Sequence, residues 1–456
     1  MQLKTPIIPV KQTFAKVHAE HELHLEAICV FAAIGFFLDQ DTYWKDEVVL
    51  KPASINIIDE KNKLLETKPW FEWHYTPRDI TFKQTLDEFS ELFETIIKEQ
   101  TAGKKVILPL SGGLDSRTQA VALKRIEAEV FSYSYQFENG YEETKIAKQI
   151  AETCSFDFKP FTISNGYLWE TLDTLSELNE CYSDFTSPRQ MGIYDAFDTM
   201  GNHFSLGHWG DVLFDSMKLP QLSKEEELEV IQQKLIKKGG MTLATKLWET
   251  WGLEGEFKSY FKARIENLLN DIKIDDTNAK LRAFKSLYWA PRWTSINLSI
   301  FSAKHPVSLP YYDNRMCEFI CAIPENYLEG RQLQIAYIKK RAPKLAKITW
   351  QEQIPFNLTN YKWNKTPYNM PYKIGNKLKR IANQTKGKKH VLRNWELQFL
   401  GENNQIQLDN TFEKLNTDNF LPKSFIEDVL QGFKGSPSSE TAHAINMLLA
   451  ILYKLK

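Results

Sequence analysis

The chain has 456 residues and a mass of 53.1 kDa, a length that excludes one small module and favours two or three domains. An apolar share of 43% and a charged share of 25% exclude disorder as the main state. With 57 basic against 58 acidic residues the net charge is −1, so no whole-molecule field attracts nucleic acid or an anionic membrane. No membrane partner is expected, nucleic acid is disfavoured, and any such binding must be local. The apolar run Ile28 to Leu38 is shorter than the roughly 20 residues of a membrane span, and no signal peptide or anchor is expected. Cysteines at 29, 154, 181, 317 and 321 are too few and scattered for a disulfide framework, which points to a reducing cytoplasm. Cys317 and Cys321 share one face of a predicted helix, but no second pair at zinc spacing follows, so buried inert thiols are expected.

In chain order, residues 1–80 read as a small β-rich unit. Short apolar and β-branched runs at Ile28 to Leu38, Glu47 to Leu50, Ile55 to Ile58 and Trp70 to Tyr75 are separated by turn residues such as Pro52, Asp59 and Asn62. Phe82, Leu86, Phe89, Leu92, Phe93 and Ile96 then fall on one helical stripe over Thr81 to Glu99. Lys104 to Leu110 reads as a strand, Ser111 to Ser116 as a glycine-rich turn, and Arg117 to Ala128 as a helix. Strands are expected at Val130 to Phe137, Asp157 to Ile163 and His203 to Leu206, with helices at Glu142 to Thr153, Tyr167 to Leu178 and Met191 to Met200. This alternation predicts an α/β fold with a parallel sheet and helices on both faces, in a domain over 81–220. Residues 221–456 read as mostly helical, ending in an apolar helix from Ser438 to Leu455. The segment from Lys373 to Arg393 is locally basic, and it reads as a solvated face or as a docking surface for an anionic partner, such as a partner protein.

The turn Ser111-Gly112-Gly113-Leu114-Asp115-Ser116 carries the chemistry. Two glycines between a strand and a helix let backbone amides approach an anion, and the helix start adds partial positive charge. Ser111 and Ser116 add hydroxyls. Asp115 beside phosphates calls for a magnesium ion between them, since a bare carboxylate would repel the anion.

With Leu110 in front, this turn resembles the pyrophosphate loop of the ATP-pyrophosphatase group, and most of all its asparagine synthetase branch. Glu142-Glu143 resembles the acidic pair of that branch. Ser205 to Phe214 resembles its second magnesium-binding segment, and Pro310-Tyr311-Tyr312-Asp313 with Glu318, Phe319, Ile323 and Pro324 its helical part. The resemblance covers about residues 80 to 360. It implies an adenine nucleotide α-hydrolase-like fold and ATP-dependent adenylation of a carboxylate, followed by amide formation with an amine or ammonia. It places the nucleotide at Leu110, Ser111, Gly112, Gly113, Leu114, Asp115, Ser116, Tyr135 and Gly207. It places Mg2+ on Asp115 and Asp211, and the reaction at His208, Asp115 and Asp211.

The departures are specific. The resemblance places a cysteine nucleophile at the mature N-terminus for glutamine use, whereas the sequence begins Met1-Gln2-Leu3 with its first cysteine at 29, so residues 1–80 read as a truncated amidotransferase-like relic without glutaminase activity. His208 stands where relatives have a glutamate or tyrosine base, and is read as its replacement or as packing. The expected lysine position holds Gln353, with Lys340 or Lys347 as stand-ins. Asparagine is therefore in doubt as product, and peptide, secondary-metabolite or polysaccharide biosynthesis are open settings. A degenerate nucleotide-binding homologue acting through a partner and an RNA-modifying ATP-pyrophosphatase are the alternatives.

Overall fold

The computed structural model describes residues 1–140, 142–385, 394–415 and 420–456. Five short strands open the chain: β1 (Gln2–Lys4), β2 (Phe14–Lys16), β3 (Glu47–Val49), β4 (Ser54–Ile58) and β5 (Leu64–Pro69). They form an antiparallel sheet in the order β1-β4-β5 and a separate β2-β3 pair. The run at Ile28 to Leu38 is not a strand. It supplies helix α1 (Leu25–Ile34), ended by Gly35 at φ 83° with its N–H on the Phe31 carbonyl at 2.7 Å. Every residue from Ala27 to Ile34 is fully buried, and a continuously apolar segment shows no face by which periodicity could separate helix from strand. Trp70 to Tyr75 likewise forms no strand, because the β5 pairing ends at Pro69.

The central sheet has five parallel strands in the order β10-β9-β6-β7-β8: β6 (Val106–Pro109), β7 (Val130–Phe137), β8 (Asp157–Ile163), β9 (His203–Ser205) and β10 (Val307–Ser308). The helices preceding and between them are α2 (Phe82–Thr101), α3 (Asp115–Arg125), α4 (Thr144–Cys154) and α5 (Tyr167–Asn179). Alternation along β7 separates the faces. Tyr133 meets Phe197 at 5.9 Å between ring centroids on one side, while Gln136 accepts a hydrogen bond from the Thr144 hydroxyl of α4 on the other. Phe197 lies in Arg189–Thr199, a 3-10 segment broken at Ile193, where a regular helix is expected from sequence. β10 is only two residues long, too short for a sequence signal.

Beyond the sheet the chain is mostly helical. Helices Gly240–Thr250 and Ser439–Lys454 pack against α1, so one apolar core runs from Ile7 to Leu452. The helix Thr277–Phe284 passes directly into a π-helix, Lys285–Thr294, that contains Pro291. Of the basic stretch 373–393, residues 386–393 lie outside the described residues. Among the described residues no helix is long and apolar enough to cross a membrane.

Candidate active site

The residues of the glycine-rich turn, Ser111 to Ser116, sit at the carboxyl end of the central strand β6, where a parallel sheet opens to ligands. The Leu110 N–H donates to the Tyr133 carbonyl at 2.7 Å and continues the ladder before the turn. Within the turn the Ser111 N–H donates to Ser116 Oγ (3.1 Å) and the Gly113 N–H to Ser111 Oγ (3.2 Å). The Gly112 N–H donates to Gln351 Oε1 (3.0 Å), and the Gln351 N–H returns a bond to the Gly112 carbonyl. A methyl at Gly112 would lie 2.8 Å from Gln351 Cβ, so this approach requires glycine. Helix α3 starts at Asp115 with Leu114 as an N-cap that gives no side-chain bond, leaving the amides of its first turn for an external acceptor.

Arg117 holds the turn from beneath. Its guanidinium, fully buried, donates to the carbonyls of Gly112 (3.1 Å), Ile348 (3.0 Å) and Thr349 (2.7 Å). Burial pushes it down to about 10. One side chain thus ties the loop to the segment that carries Gln351.

Asp115 faces the second glycine-rich segment. Methyls at Gly207 and Gly210 would meet Asp115 itself, the first at 3.2 Å from its Cβ, and the Gly210 methyl would also lie 3.0 Å from the Tyr311 ring. Between them Trp209 takes a left-handed φ of 64°, and a short helix α6 (Gly210–Leu213) puts Asp211 in its first turn, exposed at the surface. Asp115 pairs through Oδ1 with Arg331 and accepts from Gln334 Nε2 at 3.1 Å, while Tyr311 donates to its backbone carbonyl at 2.8 Å. Burial raises the Asp115 carboxyl to about 6 and the nearby Asp211 adds to the rise, against the pull of Arg331.

His208 lies against Phe301, with ring centroids 6.2 Å apart, and its Nδ1 is buried without a partner. Burial lowers it to about 4, so it is neutral near pH 7. Tyr135, near the end of β7, is bonded to Arg189, beside Glu143, whose carboxyl is raised by burial. The structure therefore brings Ser111 to Ser116, Gly207, His208 and Asp211 to one mouth and sets Tyr135 at the end of the neighbouring strand.

Gln353 and Lys340 are engaged with other partners. Gln353 accepts from Asn364 at 2.8 Å, Lys340 pairs with Asp87, and Lys347 is exposed. The cations at this mouth are Arg331 and Lys285, both missed by sequence reasoning. Lys285 opens the π-helix with its Nζ 3.4 Å from Met217 Sδ, and burial lowers it to about 8 with Asp211 and Asp215 opposing. Neither carries a local motif, since each reaches the mouth only through the tertiary fold. Arg117 and Tyr311 adjoin motifs that the sequence does show.

A model of the asparagine synthase family matches residues 88–367. No curated protein matches the chain. A solved structure of NMN synthetase from Francisella tularensis is similar at 14% identity, covering 45% of this chain and 93% of that one with a TM-score of 0.23. The family match takes in the turn at 111–116, the 207–214 segment and the 310–324 stretch together, and on it the chain belongs to the asparagine synthase family.

Proposed function

We propose that this chain is an ATP-dependent amide-bond-forming synthetase that adenylates a carboxylate, releases pyrophosphate and passes the acyl group to an amine or ammonia. The observation that carries this reading is the open first turn of α3 after the Gly112-Gly113 turn, facing the segment that bears Asp211. The amides there would hold phosphate oxygens, with Ser111 and Ser116 beside them. Tyr135 and Gly207 would border the nucleotide.

Magnesium takes one or two carboxylates together with substrate phosphates. Arg331 and Gln334 engage one oxygen of Asp115, which leaves its other oxygen and the exposed Asp211 carboxylate for the ion. That donor set fits a single cation shared with phosphates, and such an ion would neutralise negative charge there. Arg331 and Lys285 supply further positive charge at the mouth and would stabilise the departing pyrophosphate or the adenylate. His208, held neutral, would accept the proton of the attacking amine or orient it. An imidazole lowered to about 4 is a weak base, which favours the orienting role.

The division into a relic unit at 1–80, a nucleotide domain at 81–220 and a substrate region at 221–456 belongs to this proposal. So does a cytoplasmic setting, which suits five free, buried cysteines. A second reading, a nucleotide-binding homologue without turnover, is favoured by the bonds of Arg331 to Asp115 and of Gln351 to Gly112.

Pyrophosphate release from ATP and magnesium, with a panel of carboxylates and ammonia, separates the two. Asp115→Asn and Asp211→Asn are each expected to lower release on the order of a thousand-fold, the scale of a lost charge at a metal-phosphate centre. Wild-type release in either variant removes that carboxylate from the mechanism. Binding of ATP with no release for any carboxylate favours the second reading.

A further inference from the structure

The helix Met370–Thr385 and the segment leading into it carry a surface that the proposed chemistry does not use. Trp363, Tyr368, Met370, Ile374 and Leu378 are 59%, 60%, 46%, 55% and 62% exposed, a concentration of large apolar side chains in water that matches few other places in the chain. Met370, Ile374 and Leu378 are spaced by four, so they form one stripe along the helix. Trp363 and Tyr368 stack on each other, with ring centroids 6.1 Å apart, just before its first turn.

The charge of this stretch of the sequence is of one sign. From Gln353 to Trp395 the sequence has no acidic residue, whereas Lys362, Lys365, Lys373, Lys377, Lys379 and Arg380 are all basic. Lys373 and Lys377 are exposed and lie one helical step from the stripe, flanking it. In a chain of net charge −1 this is a local positive field beside an apolar strip.

We infer that the helix Met370–Thr385 docks on an anionic lipid surface, lying flat with Met370, Ile374 and Leu378 in the acyl boundary and its lysines at the headgroups. An amphipathic helix with basic residues beside an apolar stripe has the chemistry of an interfacial segment, and aromatic rings at its start suit the same depth. Nucleic acid would use the lysines but leave the aliphatic stripe in water, so the stripe decides between the two polyanions. The inference departs from the expectation of no membrane partner, which rests on the charge of the whole chain. It is independent of the synthetase reading.

Flotation of the full chain with vesicles tests it, comparing pure phosphatidylcholine with an equal mixture of phosphatidylcholine and phosphatidylglycerol. Binding is expected to the anionic vesicles alone and to weaken as salt is raised. Lys373→Gln with Lys377→Gln should lower the partition coefficient roughly thirty-fold, and Ile374→Ser with Leu378→Ser at least roughly ten-fold. All four side chains are exposed, so both double variants should keep the wild-type melting temperature. No flotation, equal flotation with neutral vesicles, or unchanged flotation of either variant overturns the inference. Binding to poly-uridylate in preference to anionic vesicles would also overturn it.

Discussion

His203 and His208 are both lowered to about 4, chiefly by burial. His203 bonds Ser308 Oγ at 2.6 Å through Nε2, and its Nδ1 is buried without a partner. A free histidine titrates near 6.5, so between about pH 6.5 and pH 4 the unfolded chain binds the extra protons. Each histidine's contribution is therefore complete above about pH 6.5 and is lost as pH falls toward 4. The limiting slope is about 1.4 kcal/mol per pH unit for each. Carboxylates add their own dependence, so a variant isolates the effect. His203→Asn is expected to show a shallower loss of denaturation midpoint between pH 7 and pH 4.5 than wild type. Equal slopes would mean that His203 protonates as readily folded as unfolded. At the same scale, burial raises the thiols of Cys154 and Cys181 to about 12 and Cys321 to about 11, and pushes Cys29 and Cys317 up as well. A nucleophilic cysteine needs a stabilised thiolate. Incubation with glutamine should accordingly yield no glutamate above background, measured by coupled oxidation of glutamate.

The turn between β6 and α3 keeps its shape because a distant segment is tied to it. Arg117 donates to carbonyls on both sides of that tie, and Gln351 closes it with a two-way bond to Gly112. Arg117→Met keeps much of the volume but takes the guanidinium donor from the half-buried carbonyls of Ile348 and Thr349 and unties them from the Gly112 carbonyl. A loss of about 3 kcal/mol or more is expected, together with loss of ATP-induced thermal stabilisation. Thermal scans with and without ATP check both. A variant that melts like wild type would show that the carbonyls find other donors. The π-helix Lys285–Thr294 is a second element of this kind. It follows directly on Thr277–Phe284 and opens with Lys285, whose charge acts on Asp211, and π-helical stretches recur at functional sites.

Across the whole molecule, the N-terminal unit is part of the common core. Ile28, Val30, Phe31, Ile34, Phe36, Phe37 and Leu38 are at most 1% exposed, and α1 packs on helices from the middle and the end of the chain. Burying such side chains is worth ~2 kcal/mol each. Their sum rivals the ~5–15 kcal/mol of net stability typical of a folded protein. A chain starting at residue 81 should therefore lose its cooperative thermal transition, as read by circular dichroism. A sharp unfolding transition in that fragment would show that the remaining helices close the core by themselves.

Much of the fold and of the site is legible in the order of residues alone. The strand-turn-helix around Ser111 to Ser116 can be read because its signals are local: an apolar strand, two glycines and a following helical period. Strands Val130–Phe137 and Asp157–Ile163 have the bounds expected for the same reason. The sequence by itself therefore determined the α/β order, the glycine-rich turn between strand and helix, and the acidic residues beside it. Only the tertiary structure decided that Ile28 to Ile34 is helical, since a segment buried on every side carries no period. Only the tertiary structure decided which cations meet Asp115 and Asp211. Arg331 lies 216 residues from its partner Asp115, and Lys285 reaches the mouth from the π-helix. Contacts at such separations are set by how elements pack, and no spacing in the chain records them.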